Sequence, residues 1–245
     1  MGIAASLFYS SNDTEKQTLH RRITPSSDQY EQQQERWHSL ADYLVNDLSS
    51  HSGLTIKWWL QGSYKLRTQV RPVRKNDEFD IDLGLYFCSE NEHDYNIYSP
   101  REIRDMVQAS LADYCQNNND SDKLVNPPKN RCSRIRFHNS FHIDIPCYRL
   151  HEINDERQLA TIDDKWEESD PKSFVNWFNR RNADNVRAKC RRAIRYIKCW
   201  TQIHLDDEKC RPSSTLLTVL MADAFTDLSE DEMLSDDDAI VNSAK

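Results

Sequence analysis

The chain has 245 residues, with 32 Lys and Arg against 40 Asp and Glu and a formal net charge of −8, which excludes a protein whose main business is coating nucleic acid. Hydrophobic residues are 38% of the chain, including 6 Trp, 10 Tyr and 8 Phe, enough for one large or two small cores, and only 4 Gly imply a helix-rich surface. No apolar run approaches the roughly 18 residues of a membrane span. Seven cysteines at irregular spacings, without C-x-x-C, argue against a disulfide framework or structural zinc, so a reducing cytoplasm is the expected setting.

Residues 1–27 show little periodicity and read as a loose lead-in. The opening "MGIAAS" fits the myristoylation pattern, but the pattern is short and common by chance. From Asp28 to Leu48 the spacing of Trp37, Leu40, Leu44 and Leu48 predicts an amphipathic helix. "LTIKWWL" (54–60) reads as a short buried strand, with Trp58 and Trp59 on opposite sides, and it runs directly into "QGS". Gly62 there permits close approach, and Ser63 can cap a helix or meet an anion.

"EFDIDLGLYF" (78–87) alternates Phe79, Ile81, Leu83, Leu85 and Phe87, a period of two that predicts a half-buried strand. Asp80 and Asp82 then share the opposite face, about 6.5–7 Å apart along the strand. Alone, D-x-D reads as a solvated face.

Ser99 and Pro100 open a helix to about Gln116, and "NNNDSDK" is a turn. In "RIRFHNSFHIDIPCY" (134–148) two strands are predicted about an Asn139-Ser140 turn, with His142 and Asp144 on the polar face of the second. His142 is expected as a satisfied surface histidine. After Asp155 the chain is expected to turn helical, with Asp170 as N-cap and Pro171 at a helix start. Val186, Cys190, Ala193, Ile194, Ile197 and Trp200 mark one face of a long helix. Arg187, Arg191, Arg195 and Lys198 form a basic stripe beside it, a solvated face unless it offsets a polyphosphate. Ser213 and Ser214 start a further helix, and Asp236–Asp238 are expected in a solvated tail. These elements predict an α+β chain divided near residue 160, with residues 1–160 as an α/β lobe carrying the N-terminal helix and 161–245 as a helical lobe.

If the strands pair, Asp80, Asp82 and Asp144 meet above one sheet face. Three clustered carboxylates repel one another and raise each other's pKa. A divalent cation relieves that conflict, and Mg²⁺ is commonly held by carboxylates together with substrate phosphates.

"QGSYKLRTQVRP", "DEFDIDLGLYF", "RCSRIRFHNSFHIDIPCY", "ESDPKSFVNWF", "RRAIRYIKCW" and "RPSSTLL" together resemble the bacterial CD-NTases of CBASS anti-phage systems, relatives of animal cGAS and oligoadenylate synthase. The resemblance runs from Leu54 to Phe225. It implies a polymerase-β-like nucleotidyltransferase lobe with a mixed sheet, followed by an α-helical lobe, with the active site in the cleft. Asp80, Asp82 and Asp144 match the Mg²⁺-binding acids, with Mn²⁺ as a substitute. Gln61, Gly62 and Ser63 match the donor-triphosphate turn, Arg134 an arginine that contacts nucleotide, and Lys198 and Ser213 groups that reach donor phosphates.

The implied activity joins ATP, GTP or related ribonucleoside triphosphates into a cyclic di- or trinucleotide, cyclic GMP-AMP among them, for antiviral signalling. CBASS regulatory proteins are the implied partners, with no long nucleic acid and no membrane. The family continues with further helices beyond "STLLTVLMADAF", so this sequence reads as C-terminally shortened. Leu66 stands where some relatives carry an aromatic residue for base stacking. A catalytically silent nucleotide sensor, and a non-cyclising transferase acting on RNA or protein, are the alternatives.

Overall fold

The computed structural model describes residues 4–12, 17–74, 77–118, 122–137, 141–228 and 235–244. The Asn139-Ser140 turn, half of the myristoylation pattern and part of the "NNNDSDK" segment lie outside the described residues. The architecture is α+β, with eight strands among the described residues in one mixed sheet and a helical part. Contacts divide the chain into two compact units, residues 27–64 with 78–172 and residues 1–26 with 65–77 and 173–245. This division differs from a single boundary near residue 160, because the chain passes between units four times.

The sheet-bearing unit contains α3 (Ser27–Ser52), β1 (Thr55–Gln61), β2 (Phe79–Ser89), α5 (Glu92–Tyr95), α6 (Pro100–Asn117) and β3 (Asp122–Leu124). It continues with β4 (Ser133–Phe137), β5 (Phe141–Ile145), β6 (Cys147–His151), β7 (Glu156–Ala160) and β8 (Trp166–Glu168). The other unit contains α1 (Ala5–Phe8), α2 (Leu19–Ile23), α7 (Pro171–Arg181, which begins in the sheet-bearing unit), α8 (Asp184–His204), α9 (Ser214–Asp227) and α10 (Asp236–Ser243). The short α4 (Gly62–Leu66) spans the passage between the two.

β2 is the spine of the sheet. One edge pairs antiparallel with β1, while the other pairs parallel with β5 along residues 79–82 and with β6 along residues 85–89. Pro146 separates β5 from β6. It has no N–H to give, but its carbonyl accepts from Leu85 at 3.0 Å, so the ladder continues through the break. Beyond the break the outer partner changes, from β4 on β5 to β7 on β6.

The apolar series of β2 faces α3 and α6. Ile81, Leu83, Leu85, Leu40, Leu44, Val107 and Leu111 share one core, all fully buried, and each such side chain contributes about 1.5–3 kcal/mol on leaving water. α6 starts on the expected signal, with Ser99 accepting from Glu102 N and Glu102 accepting from Ser99 N in a capping box. Trp58 packs edge-on against Trp37 of α3, with ring centroids 5.2 Å apart. Trp59 lies against the opposite cluster of Tyr86, Cys88, Tyr148 and Leu159.

Four expectations are corrected. The chain does not turn helical after Asp155, because β7 and β8 extend the sheet to Glu168; these strands are short and polar on their open sides, so they lack an apolar run. The lead-in is structured: Thr18 caps α2, Ile23 is buried with Tyr196, and the Phe8 ring meets Tyr196 at 5.2 Å. Trp200 is 52% exposed, off the buried face of α8. Asp236 is buried, bound by both Nε and Nη2 of Arg192 at 2.7 Å and by the Tyr196 hydroxyl at 2.7 Å. Its acidic neighbours therefore open a helix at Ser235 rather than a solvated tail.

Candidate active site

The register of three strands assembles the acids. Asp82 is the Cα partner of Asp144, and Asp80 of His142, in the parallel pairing of β2 and β5. Neighbouring strands lie about 4.8 Å apart, so Asp82 and Asp144 stand side by side on one face. Across β5, Arg134 is the antiparallel partner of Asp144, and Arg136 of His142. Across β2, Gln61 is the partner of Asp82, and α4 begins at the next residue.

Gly62 is required where it stands. Its φ is +60°, and a Cβ there would lie 1.9 Å from Asp82 Oδ2, so the carboxylate rests on the bare backbone of the turn. Gly84 serves the same end one step along β2, where a Cβ would meet Gln61 Nε2 at 1.9 Å. Gln61 is thus folded inward: its Oε1 accepts from Tyr148 at 3.2 Å, and its Nε2 donates to Tyr86 at 3.4 Å. The two tyrosine rings stack at 4.7 Å. Burial pushes the Tyr148 hydroxyl up to about 12, so it remains a donor to Gln61. Ser63 follows, half-buried in α4.

The electrostatics are those of crowded carboxylates held by cations. Asp144 is buried and gripped by Arg134 through Nε and, at 2.7 Å, through Nη2, with Lys129 Nζ at 3.8 Å. Burial pushes its carboxyl up, but Arg134 and Lys129 outweigh it and hold the group below the usual carboxylate range. Cys132 beside it is pushed upward by burial and by the Asp144 charge, so it stays a thiol.

His142 is not a surface histidine. It is 8% exposed, with Nδ1 3.0 Å from Glu78 Oε2 and Nε2 2.9 Å from Asp80 Oδ1. Its burial follows from β5 being flanked by strands on both edges. Asp80, His142 and Asp144 offer ligand atoms within 4.8 Å of one another. A buried imidazole nitrogen turned toward two carboxylates fits a cation, so the donor set suits a divalent metal. A cavity of about 280 Å³ opens beside this group, lined by Gln61, Asp82, Cys132, Asp144, Tyr148 and Ser169.

Gln61, Gly62, Ser63, Asp80, Asp82, Arg134 and Asp144 are therefore gathered in the sheet-bearing unit. Lys198 and Ser213 belong to the other unit. There the basic stripe is largely committed to carbonyls: Arg191 donates to Leu66 O at 3.0 Å, Arg195 to the carbonyls of Arg67 and Gln69, and Lys198 to Thr68 O and Oγ1 at 3.4 and 3.3 Å. Arg187 binds the Asn179 and Asn182 carbonyls. The stripe is thus not simply a solvated face: Arg191, Arg195 and Lys198 fasten residues 66–69. Ser213 caps α9 through Leu216 N at 3.1 Å. Leu66 is buried among Phe178, Cys190 and Ile194, and Tyr64 packs edge-on against Trp37, so neither presents a ring for stacking.

Glu78, Lys129 and Tyr148 were not singled out from the sequence. Glu78 was within reach, because it continues the alternation of Asp80 and Asp82 one step earlier.

Fold and acids together resemble those of a nucleotidyltransferase core. Residues 56–148 match the family model of the cyclic GMP-AMP synthase DncV-like nucleotidyltransferase domain, a stretch that holds every site residue just described from Gln61 to Asp144. That match covers less than half of the chain. The chain is 31% identical over 202 residues to a cyclic GMP-AMP synthase of Escherichia albertii, covering 81% of this chain and 43% of the relative. It is 25% identical to a c-di-GMP synthase of Roseivirga ehrenbergii, covering 77% of this chain and 54% of the relative. The chain thus spans about half the length of these curated relatives. In fold it is similar to the Vibrio cholerae DncV cyclic AMP-GMP synthase solved with the linear intermediate 5′ pppA(3′,5′)pG, with a TM-score of 0.80 and 18% identity, covering 98% of this chain and 77% of that one.

Proposed function

We propose that this chain carries the catalytic core of an enzyme joining ribonucleoside triphosphates, ATP and GTP foremost, into a cyclic di- or trinucleotide with release of pyrophosphate. The observation that carries the reading is the register Asp82 beside Asp144, reached directly from the Gly62–Ser63 turn, within the stretch matched to the family. Support for the substrates comes from relatives: Vibrio cholerae DncV has been solved with ATP and GTP bound. Anti-phage signalling in the cytoplasm, under CBASS regulators, is the role this reading assigns. Among the described residues no helix is long and apolar enough to cross a membrane, and no cysteine is in a disulfide.

In this reading Asp80, Asp82 and Asp144 hold divalent cations, Mg²⁺ or Mn²⁺. Such cations, when bound, neutralise the triphosphate and acidify an acceptor hydroxyl. The chain supplies position. Gly62 and Ser63 offer backbone N–H groups and a hydroxyl to the donor phosphates at the start of α4. Gln61, fixed by its two tyrosines, sets the end of β1. Asp144 receives the proton of the acceptor ribose hydroxyl, which attacks the α-phosphorus in line as pyrophosphate departs. Arg134 orients Asp144 and meets the nucleotide. Lys198 and Ser213 are assigned to the donor phosphates from the helical unit.

The test is incubation of the chain with all four ribonucleoside triphosphates and Mg²⁺ or Mn²⁺, followed by phosphatase treatment and mass analysis. A phosphatase-resistant cyclic oligonucleotide supports the reading. Triphosphate binding without pyrophosphate release indicates a silent sensor and overturns it. Label incorporated into RNA or protein indicates the non-cyclising transferase instead.

A further inference from the structure

Within α8, Lys198 is held differently from its arginine neighbours. It is 7% exposed, and its Nζ donates to two oxygens of one residue, the Thr68 carbonyl at 3.4 Å and the Thr68 hydroxyl at 3.3 Å. Thr68 is itself fully buried. The stretch around it is anchored without the lysine: Arg191 donates to Leu66 O, and Arg195 to the carbonyls of Arg67 and Gln69. Arg67, just before Thr68, stands at φ +57°, a left-handed backbone that a residue with a Cβ rarely adopts and that its surroundings must hold in place. Thr68 is therefore a rigid platform for the flexible arm of Lys198. Any residue would offer the carbonyl, so the hydroxyl is what a threonine adds at this position.

We infer that Thr68 is a positioning residue for phosphate recognition, its hydroxyl holding the Lys198 ammonium at the place from which it meets the donor polyphosphate. The inference deepens the proposed function and rests on its assignment of Lys198 to those phosphates. Lysine acts on phosphate as a point charge, and that attraction falls with distance, so the placement of Nζ decides its strength. An arm already ordered by Thr68 gives up little rotamer freedom when phosphate arrives, and the same ion pair then binds more tightly.

The experiment is calorimetric binding of α,β-methylene-ATP, which cannot release pyrophosphate, and of AMP to the full chain in Mg²⁺. Thr68→Val removes the hydroxyl with little change of shape. It is expected to weaken the triphosphate analogue about tenfold and AMP less than about twofold, and Thr68→Ser to bind the analogue within about threefold of wild type. In a Lys198→Met background, adding Thr68→Val is expected to change analogue binding less than about twofold, because the hydroxyl then has no ammonium to hold. Equal weakening of analogue and AMP, no rescue by serine, or a tenfold loss that persists without Lys198 each overturns the inference and leaves the proposed function standing. Lys198→Met that binds the analogue as wild type does removes Lys198 from the phosphates, and the inference falls with that assignment. Should Thr68→Val fail to fold, the ¹⁵N-lysine spectrum of wild type decides: the ammonium resonance missing in Lys198→Met must be protected from hydrogen exchange and must shift with the analogue but not with AMP, and failure of either is equally fatal. The readout is binding, so absence of pyrophosphate release in the turnover assay leaves it untouched.

Discussion

Asp144 sits beside Asp82 on the neighbouring parallel strand and is simultaneously the cross-strand partner of Arg134, which grips both its oxygens. One carboxylate is therefore shared between a structural cation and the space where a catalytic one would stand.

Asp144→Asn keeps a side chain that still accepts from Arg134 but removes the charge. Pyrophosphate release is expected to fall at least about 100-fold, with the far-UV circular dichroism spectrum unchanged. Near wild-type product would remove Asp144 from the mechanism.

Gly62→Ala places a methyl where Asp82 Oδ2 lies, at a backbone φ of +60°. The left-handed conformation alone costs about 1–2 kcal/mol, and the carboxylate must move as well. A lowered melting temperature together with loss of turnover is expected; unaltered activity would show that the contact of turn and acid is dispensable.

How much of this was legible in the residues varies by element. The alternation of β2 and the Ser99-Pro100 start announced themselves, because each depends only on local spacing. So did the acid face, since Asp80 and Asp82 are separated by one residue. The burial of His142 could not be read that way: it depends on which strands flank β5, a non-local fact. The polar edge strands β7 and β8 carry no apolar run, so nothing in their spacing distinguishes them from helix. The partners of the basic stripe are backbone carbonyls, which no side-chain pattern encodes.

Asp236→Ala strips Arg192 of its paired carboxylate and leaves the Tyr196 hydroxyl with the Phe8 carbonyl alone. Breaking a buried pair from one side costs about 3–5 kcal/mol. Denaturant unfolding should show that loss; a change under about 1 kcal/mol would mean the pair is solvated.

His20 supplies a pH dependence. Burial, then the charges of Arg195 and Arg192, lower its pKa from 6.5 to about 4. A histidine depressed on folding favours the neutral form, so its stabilising share is complete above pH 6.5 and declines as pH falls toward 4. The full excursion is worth up to about 3 kcal/mol. His20→Gln should flatten the stability profile between those values, and a wild-type profile already flat there would contradict the assignment.

The helical unit is put together from three separated stretches, the last beginning at Ser173, whereas the sheet-bearing unit ends at Lys172. During synthesis the sheet can close as soon as residue 172 has emerged, but the early segments bearing Ile23 and Leu66 must wait for α8 and α9 to cover them. Emergence from the ribosome thus sets an order of assembly, and in the interval those apolar side chains are the surfaces a chaperone would meet.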